Sequence, residues 1–434
     1  MKHAEIDNTL FARNRRNLAE RLKPGSVAVF HSNDLMPAGA DRVFPFVQNA
    51  DLFYLSGMDQ EETILLLCPD AREEQYREVL FIRKTSEEIS VWQGEKYSQE
   101  QASEISGIRT VCWTSDFERI FRQMVIESVY IYLNLNEHSR ADVTVETRDA
   151  RFLKQCMSAF PLHRYERLAP IMRELRAVKS DIEVQMIRQA CRISEKAFRR
   201  VLGFTRPGVW EYEVEAEILH EFLVNRADGP AFPSIVASGE NSCVLHYEKN
   251  DRQCRDGDLL LMDFGAEYSH YASDVTRTIP VNGRFTQRQQ EVYQAVRRVQ
   301  KEAVNMLRPG NTLETYNKAV GRLMEEELIG LGLIDRDAVG DQPEGNPLYR
   351  KYFMHGASHH LGLDTHDHVD RYRPFEAGMV LTCEPGIYIR EEGIGVRLEN
   401  DILVTENNPV DLTATIPIEI EEIEALMNTA SPAD

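Results

Sequence analysis

The second half of the chain repeats one order of elements, and that repeat narrows the possible folds more than any other feature. Pro207-Gly208 precedes a helical stretch at 211–225, and Pro309-Gly310 precedes another at 312–330. Downstream come "DGDLLLMDFG" at 256–265 and "EAGMVLTCEPG" at 376–386. Aligning Gly257 with Gly378 sets Asp263 on Glu384 and Gly265 on Gly386. Similarity between the halves is weak, but in both an apolar strand runs directly into an acid. We read a duplicated α/β unit whose halves face each other across a cleft.

Each acid-ended strand has a partner carrying a second acid. "ASDVTRTIPV" bears Asp274, and a turn centred on Tyr268 and Ser269 places Asp263 directly opposite it. Their Cβ atoms would then stand about 5 Å apart. "GVRLENDILVT" bears Glu399, and a turn centred on Glu391 and Glu392, with Gly393 next, places Glu384 opposite Glu399. Like charges facing across a ladder are destabilising. A shared proton, a nearby guanidinium or a metal ion relieves them. Arg277 and Arg397 are near in sequence, so an acid–arginine network is the alternative for either pair taken alone.

A histidine cluster shifts the balance toward metal. "HGASHHLGLDTHDH", residues 355–368, holds five of the chain's 12 histidines. His355 and His359 have the spacing of a helical metal pair, but Gly356 follows His355 where the zinc helix has Glu. Gly356 and Gly362 also disfavour a regular helix. His360 and His368 read as ordinary surface or hydrogen-bonded imidazoles. Four carboxylates and one imidazole nearly balance two divalent cations, and an oxygen-rich set suits manganese better than a thiolate-type zinc site. Such ions sit about 3.5–4 Å apart under bridging carboxylates.

At 434 residues the chain is too long for one ordinary domain. We expect an α/β (α+β) protein with a smaller mixed α/β domain at 1–176 and the duplicated unit at 177–434. "SVAVFHS", "TILLLC", "EVLFIR" and "VYIYLN" read as strands of a helix-covered sheet. Past the boundary, Ser180 or Asp181 caps a long helix with Ile187, Ala190, Ala197, Phe198 and Val201 on one face. A net charge of −20 argues against nucleic acid or anionic membrane as partner. The N-terminus is polar, and no apolar run nears the roughly 20 residues a membrane helix needs. The 7 cysteines are scattered, which fits a reducing cytoplasm. Cys383 reads as a small buried side chain.

Together, "DFGAEYSHYASDVTRT", "HGASHHLGLDTHDH", "LTCEPGIYI" and "GVRLENDILVT" resemble the pita-bread metallopeptidases, and within them the Xaa-Pro aminopeptidase (aminopeptidase P) family. "FPFVQNADLFYLSGMDQEETILLL" resembles that family's N-terminal domain, and "KSDIEVQMIRQA" its inter-domain helix. The five ligand types occur in the family's order, at steps of 11 from Asp263 to Asp274, and 25 and 15 from His359 through Glu384 to Glu399. The resemblance implies that Asp263 chelates one metal, that Asp274 and Glu399 bridge two, and that His359 and Glu384 are ligands completing the shell of the other metal. It implies substrate binding and proton shuttling for His246, contact with the scissile carbonyl for His366, and a wall of the proline pocket for His355. Arg397 would buttress the metal carboxylates, with Tyr388 hydrogen-bonded nearby. Trp92 matches a residue that reaches a neighbouring subunit's site, against the plainer reading of a buried or partly buried structural Trp, and Asp41 matches an acid near the substrate end.

The implied reaction releases the N-terminal residue from peptides with proline second, by attack of a hydroxide held between two divalent ions. Mn2+ is the expected metal, with Co2+, Fe2+ or Zn2+ as alternatives, and Glu384 the expected proton carrier. A cytoplasmic homodimer or homotetramer is expected. Prolidase, which cuts only dipeptides, is the nearest alternative, and Arg371 or Arg373 could clamp a dipeptide carboxylate. Methionine aminopeptidase would not need the long N-terminal domain, and creatinase lacks the metal ligands. A non-catalytic pita-bread binding module is the remote alternative.

Overall fold

In a computed structural model of the chain, residues 5–141, 143–343 and 345–429 are described. They fall into two compact units, 5–176 and 177–429. The outer ends of the expected domains, 1–4 and 430–434, lie outside the described residues.

The first unit is built on six strands: β1 (Ser26–His31), β2 (Ile64–Leu67), β3 (Glu78–Ile82), β4 (Thr110–Trp113), β5 (Tyr130–Leu133) and β6 (Arg164–Arg167). They lie in the order β4-β3-β2-β1-β5-β6. β2 runs antiparallel to β1 and β3, and the remaining pairs are parallel. The expected strands form the centre, where burial on both faces explains their unbroken apolar runs. β4 and β6 were not anticipated. They are the partly exposed edges, "TVCW" and "RYER", where little apolar surface is needed. Around the sheet run α1 (Thr9–Ala19), α2 (Ala50–Ser56), α3 (Glu87–Gln93), α4 (Gln99–Ser106), α5 (Phe117–Glu127), α6 (Arg148–Ala159) and α7 (Ala169–Ala177). Val27, Val29, Leu66 and Phe81 on one sheet face pack against Phe117, Phe121 and Met124 of α5 and Phe152 of α6.

In the second unit, α8 (Asp181–Phe204) starts at Ser180, whose hydroxyl accepts from Glu183 N–H while the Glu183 carboxylate accepts from Ser180 N–H. This reciprocal cap fixes the helix start. Ile187, Ala190, Ala197, Phe198 and Val201 are all buried. With α9 (Glu211–Val224), α10 (Gln287–Val304) and α11 (Leu313–Gly330), α8 covers strands that form the core. These are β7 (Gly229–Pro230), β8 (Ile235–Ser238), β9 (Leu259–Phe264), β10 (Ala266–Tyr268), β11 (Tyr271–Ala272), β12 (Val275–Pro280), β13 (Val380–Cys383), β14 (Gly386–Ile389), β15 (Ile394–Arg397), β16 (Asn400–Leu403) and β17 (Val410–Asp411). The repeat is visible in matched bonds. Gly208 N–H donates to Cys254 O at 2.9 Å, and Gly310 N–H to Phe375 O at 3.0 Å. Each acceptor lies three residues before a glycine of positive φ, Gly257 at 84° and Gly378 at 92°.

The core of each half is one long hairpin with a break at the acid. In the first, β9 and β10 return through β11 and β12, turning at Ser269 and His270, whose φ values are 54° and 63°. This left-handed two-residue turn has the geometry that favours Asn-Gly, yet uses neither residue. It lies one residue beyond the expected centre, so the pairing slides by two, and Asp263 faces Thr276 rather than Asp274. An even slide keeps both acids on one face, now as diagonal neighbours at about 7–8 Å instead of about 5 Å. In the second hairpin, Ile389 faces Ile394 around the turn and Cys383 faces Asn400 further back. That shared register sets Glu384 opposite Glu399, as the sequence suggested. The hairpins join where Glu399 N–H donates to Thr276 O at 3.1 Å.

Gly265 marks the first break. A Cβ there would lie 1.7 Å from the Ser273 carbonyl oxygen, a backbone atom that cannot step aside. Gly265→Ala should therefore cost about 3 kcal/mol or prevent folding, the upper end of overpacking penalties. Urea denaturation of the purified variant measures it.

Candidate active site

The acids reach one place because the hairpins end there. Asp263 is near the end of β9, Asp274 immediately precedes β12, and Glu384 and Glu399 occupy the gaps between β13 and β14 and between β15 and β16. The histidine segment is not helical. Leu361 N–H donates to Val380 O, Thr382 N–H to His359 O, and Glu384 N–H to Ala357 O, at 3.0, 2.9 and 2.9 Å. The segment is thus laid along β13, which turns the His359 ring toward the acids.

His359 Nδ1 lies 3.0 Å from the His360 carbonyl, which can only accept. The ring proton therefore sits on Nδ1, and Nε2 presents a lone pair. Nε2 is 3.3 Å from Asp274 Oδ2 and 3.7 Å from Glu384 Oε1. One ligand atom each from Asp274, His359 and Glu399 lies within 4.8 Å of the others. Asp274 and Glu399 are almost fully buried. Burial first, then the charges of Glu399 and Asp263, push the Asp274 carboxyl well above its ordinary range. Burial, then Glu384 and Asp263, do the same to Glu399.

Arg397 is the cation supplied by the chain. Its guanidinium donates to Asp263 Oδ2 at 2.6 Å, Thr276 Oγ1 at 2.9 Å and the Tyr388 hydroxyl at 2.9 Å. Arg277 does not share the task. It is buried, and it donates to the carbonyls of Thr276, Glu399, Ile416 and Pro417 rather than to the acids. One guanidinium beside four carboxylates leaves a charge deficit. Among the described residues, Asp263 Oδ1 and Asp274 Oδ1 are buried without a hydrogen-bond partner. Carboxylate oxygens with no donor and an imidazole with its lone pair turned inward are the donor set that hard divalent cations take. The acid–arginine network is therefore only part of the neutralisation.

Around this cluster, the His366 ring lies 4.0 Å from that of His359. His355 Nδ1 donates to Gly356 O at 2.8 Å, and its Nε2 accepts from the Tyr388 hydroxyl at 2.8 Å. Burial and then Arg397 push the His355 imidazole down to about 3, so it is neutral. His246 is exposed and near enough to His355 to be a minor contributor to that imidazole's lowering. Trp92 and Asp41 belong to the first unit. Trp92 is 80% exposed, not the buried Trp of the plainer reading, and Asp41 is also exposed. His360, expected at the surface or hydrogen-bonded, is buried with both ring nitrogens unpartnered. Arg373 pairs with Glu376 at 2.8 Å, and Arg371 contacts neighbouring Tyr372.

Two residues escaped the sequence reading. Thr276 donates to Glu399 Oε2 at 2.6 Å while accepting from Arg397, and so links the two halves. Asp401 accepts from Asp274 N–H at 3.1 Å, and burial pushes it up to about 8. Each lies two residues after an acid, on the same strand face, which is the signal that could have found them.

Residues 185–406 match the profile of metallopeptidase family M24, and residues 11–132 that of the aminopeptidase P N-terminal domain. Xaa-Pro aminopeptidase of Escherichia coli is 37% identical over 98% of this chain and 99% of its own. Xaa-Pro aminopeptidase of Haemophilus influenzae is 35% identical over 98% of both. Among solved structures, E. coli aminopeptidase P with the inhibitor Pro-Leu superposes with a TM-score of 0.87 at 36% identity, covering 98% of this chain and 99% of that one. Zinc-substituted E. coli aminopeptidase P in complex with product gives the same TM-score of 0.87 over 99% of this chain and all of the other.

Acids whose carboxyls are raised on folding take up protons, so the cation-free protein loses stability as pH climbs from about 4. For Asp401 that loss continues to about 8. In chelator, the melting temperature should fall between pH 5 and 8, added divalent cation should abolish the fall, and Asp274→Asn should raise the melting temperature at pH 8. A rise of about 3 °C corresponds to roughly 1 kcal/mol in a domain of this size. Scanning fluorimetry reads all three.

Proposed function

Because the chain belongs to metallopeptidase family M24 and carries the aminopeptidase P N-terminal domain ahead of it, we propose that it cleaves the bond between a peptide's first residue and a following proline. It is a metal-dependent aminopeptidase. The observation that carries the reading is the buried carboxylate group, with Asp263 and Asp274 oxygens that have no hydrogen-bond partner among the described residues, and His359 Nε2 beside Asp274 and Glu384. On this reading Asp263, Asp274, His359, Glu384 and Glu399 would together hold two divalent ions. The domains divide at 176/177.

Bound divalent ions supply concentrated positive charge that acidifies water and polarises a carbonyl. The chain's own groups do the rest. Glu384 takes the proton from the attacking water and delivers it to the proline nitrogen as the C–N bond breaks. A histidine, His366 beside His359 or else His246, hydrogen-bonds the oxygen of the scissile carbonyl as charge develops on it. Arg397 holds Asp263 in place through its guanidinium, and the Tyr388 hydroxyl holds His355 as a neutral wall for the proline ring. Proline offers no N–H for a peptidase to grip, so an apolar pocket selects it by shape. Manganese suits the oxygen-rich set best, with Co2+, Fe2+ or Zn2+ as substitutes. No described helix is long and apolar enough to cross a membrane, and the free cysteines suit a reducing cytoplasm. A homodimer or homotetramer accommodates exposed Trp92 at a neighbouring copy's site, with Asp41 near the substrate end.

Arg371 and Arg373 engage their own segment, which gives no support to a clamp for a dipeptide carboxylate. Comparing Xaa-Pro with Xaa-Pro-Xaa substrates in added manganese tests the assignment. Tripeptides should be cleaved, and turnover of dipeptides alone would replace it with prolidase. Glu384→Gln should lower kcat about 10²–10⁴-fold, the usual loss of a proton carrier. Asp274→Ala should abolish both activity and stoichiometric metal, read by turnover and elemental analysis.

A further inference from the structure

The first unit holds a cavity of about 620 Å³ that the peptidase reaction does not use. Ligand sites commonly span about 300–1,000 Å³. Its walls are aromatic. Phe117, Phe121, Phe152 and Phe160 line it, with Phe121 packed on the other three at centroid distances of 5.2–5.9 Å. Such a surface takes an apolar or aromatic body.

Polar groups interrupt the apolar wall, exposed Gln155 and buried His31. His31, at the end of β1, lines the cavity while only 3% exposed. Its ring stands edge-on to Phe152 at 4.5 Å, and its Nδ1 lies 2.9 Å from Asp149 Oδ1. Burial lowers the His31 imidazole from its ordinary value, against the pull of Asp149. A neutral ring whose Nδ1 proton is given to Asp149 presents Nε2 as an acceptor. Among the described residues, nothing donates to Nε2. The rim is basic: Arg119, Arg122, Arg148 and Arg151 against Glu118, in a chain of net charge −20. Arg119 pairs with Asp116, Arg151 with Asp34, and Arg148 donates to the Ser32 hydroxyl. Arg122 is exposed and makes no ion pair among the described residues.

We infer that this cavity binds a small amphipathic carboxylate of the kind presented by the C-terminal residue of a peptide: an apolar side chain among the phenylalanines, an amide N–H on His31 Nε2, and the carboxylate at Arg122. The same carboxylate-and-apolar chemistry occurs in free aromatic acids, which lack the N–H. The site is built only from residues of the first unit and does not depend on the peptidase assignment.

Isothermal calorimetry on the full chain with N-acetyl-phenylalanine tests it, beside N-acetyl-phenylalanine amide, which lacks the carboxylate, and 3-phenylpropionate, which lacks the donor. N-acetyl-phenylalanine should bind. Each partial ligand should bind about fivefold more weakly, the worth of one hydrogen bond. Arg122→Ala should weaken binding about as much. Ala159→Trp, at an exposed position on the cavity wall, should abolish binding by filling the mouth. Both variants should hydrolyse Xaa-Pro peptides unchanged. Absence of binding at about 10 mM, where even millimolar affinity would register, overturns the site, and so does binding that survives Ala159→Trp. Equal binding of 3-phenylpropionate overturns the peptide-terminus reading.

Discussion

Mutual repulsion among buried carboxylates is the constraint on which the second unit depends. Asp274 and Glu399 are almost fully out of water, with Asp263 and Glu384 close enough to raise their carboxyls. A fold held mainly by burial cannot leave such charge uncompensated, because an unpaired buried charge costs several kcal/mol. The chain answers part of it with one guanidinium, Arg397, and one hydroxyl, Thr276. The remainder falls to divalent cations, which makes metal binding and the stability of this unit two aspects of one electrostatic balance.

Duplication supplies the geometry. Two hairpins of the same plan, each broken beside its acid, meet along β12 and β15 and bring acids far apart in sequence into contact. Nearly all the supporting atoms are backbone or short side chains. The His359 ring is aimed by the carbonyl of its neighbour His360, and Asp274 is tethered through its own N–H to Asp401. Such short tethers hold ligand atoms within the narrow tolerance a metal site needs. The first unit shows a different economy, with aromatic packing and one buried His–Asp pair in place of clustered acids.

Much of this was legible in the residues. The acid-ended strands, the glycine-marked repeat, the capped helix at Ser180 and the central strands of the first sheet all left local patterns of period or spacing. Edge strands β4 and β6 did not, since half-exposed strands need no apolar alternation. Thr276 and Asp401 stayed hidden because their one signal, a place two residues past an acid on the same strand face, is shared by many polar strand residues. Trp92, exposed on a short helix, does not take the buried place of the plainer of its two readings.

By itself, the sequence determined which residue types could ligate and on which face of each strand they lie, because side-chain alternation at period two survives any even slip. It also determined the register of the second hairpin, since Gly393 at φ 63° ends its turn. Only the tertiary structure decided the register of the first, where Ser269 and His270 adopt left-handed angles that their identities do not announce. It alone decided that Arg277 turns to backbone carbonyls and leaves the acids to Arg397, as the resemblance had implied for Arg397, and that the histidine segment lies extended along β13. Both outcomes depend on contacts between distant strands, and those contacts have no local signature.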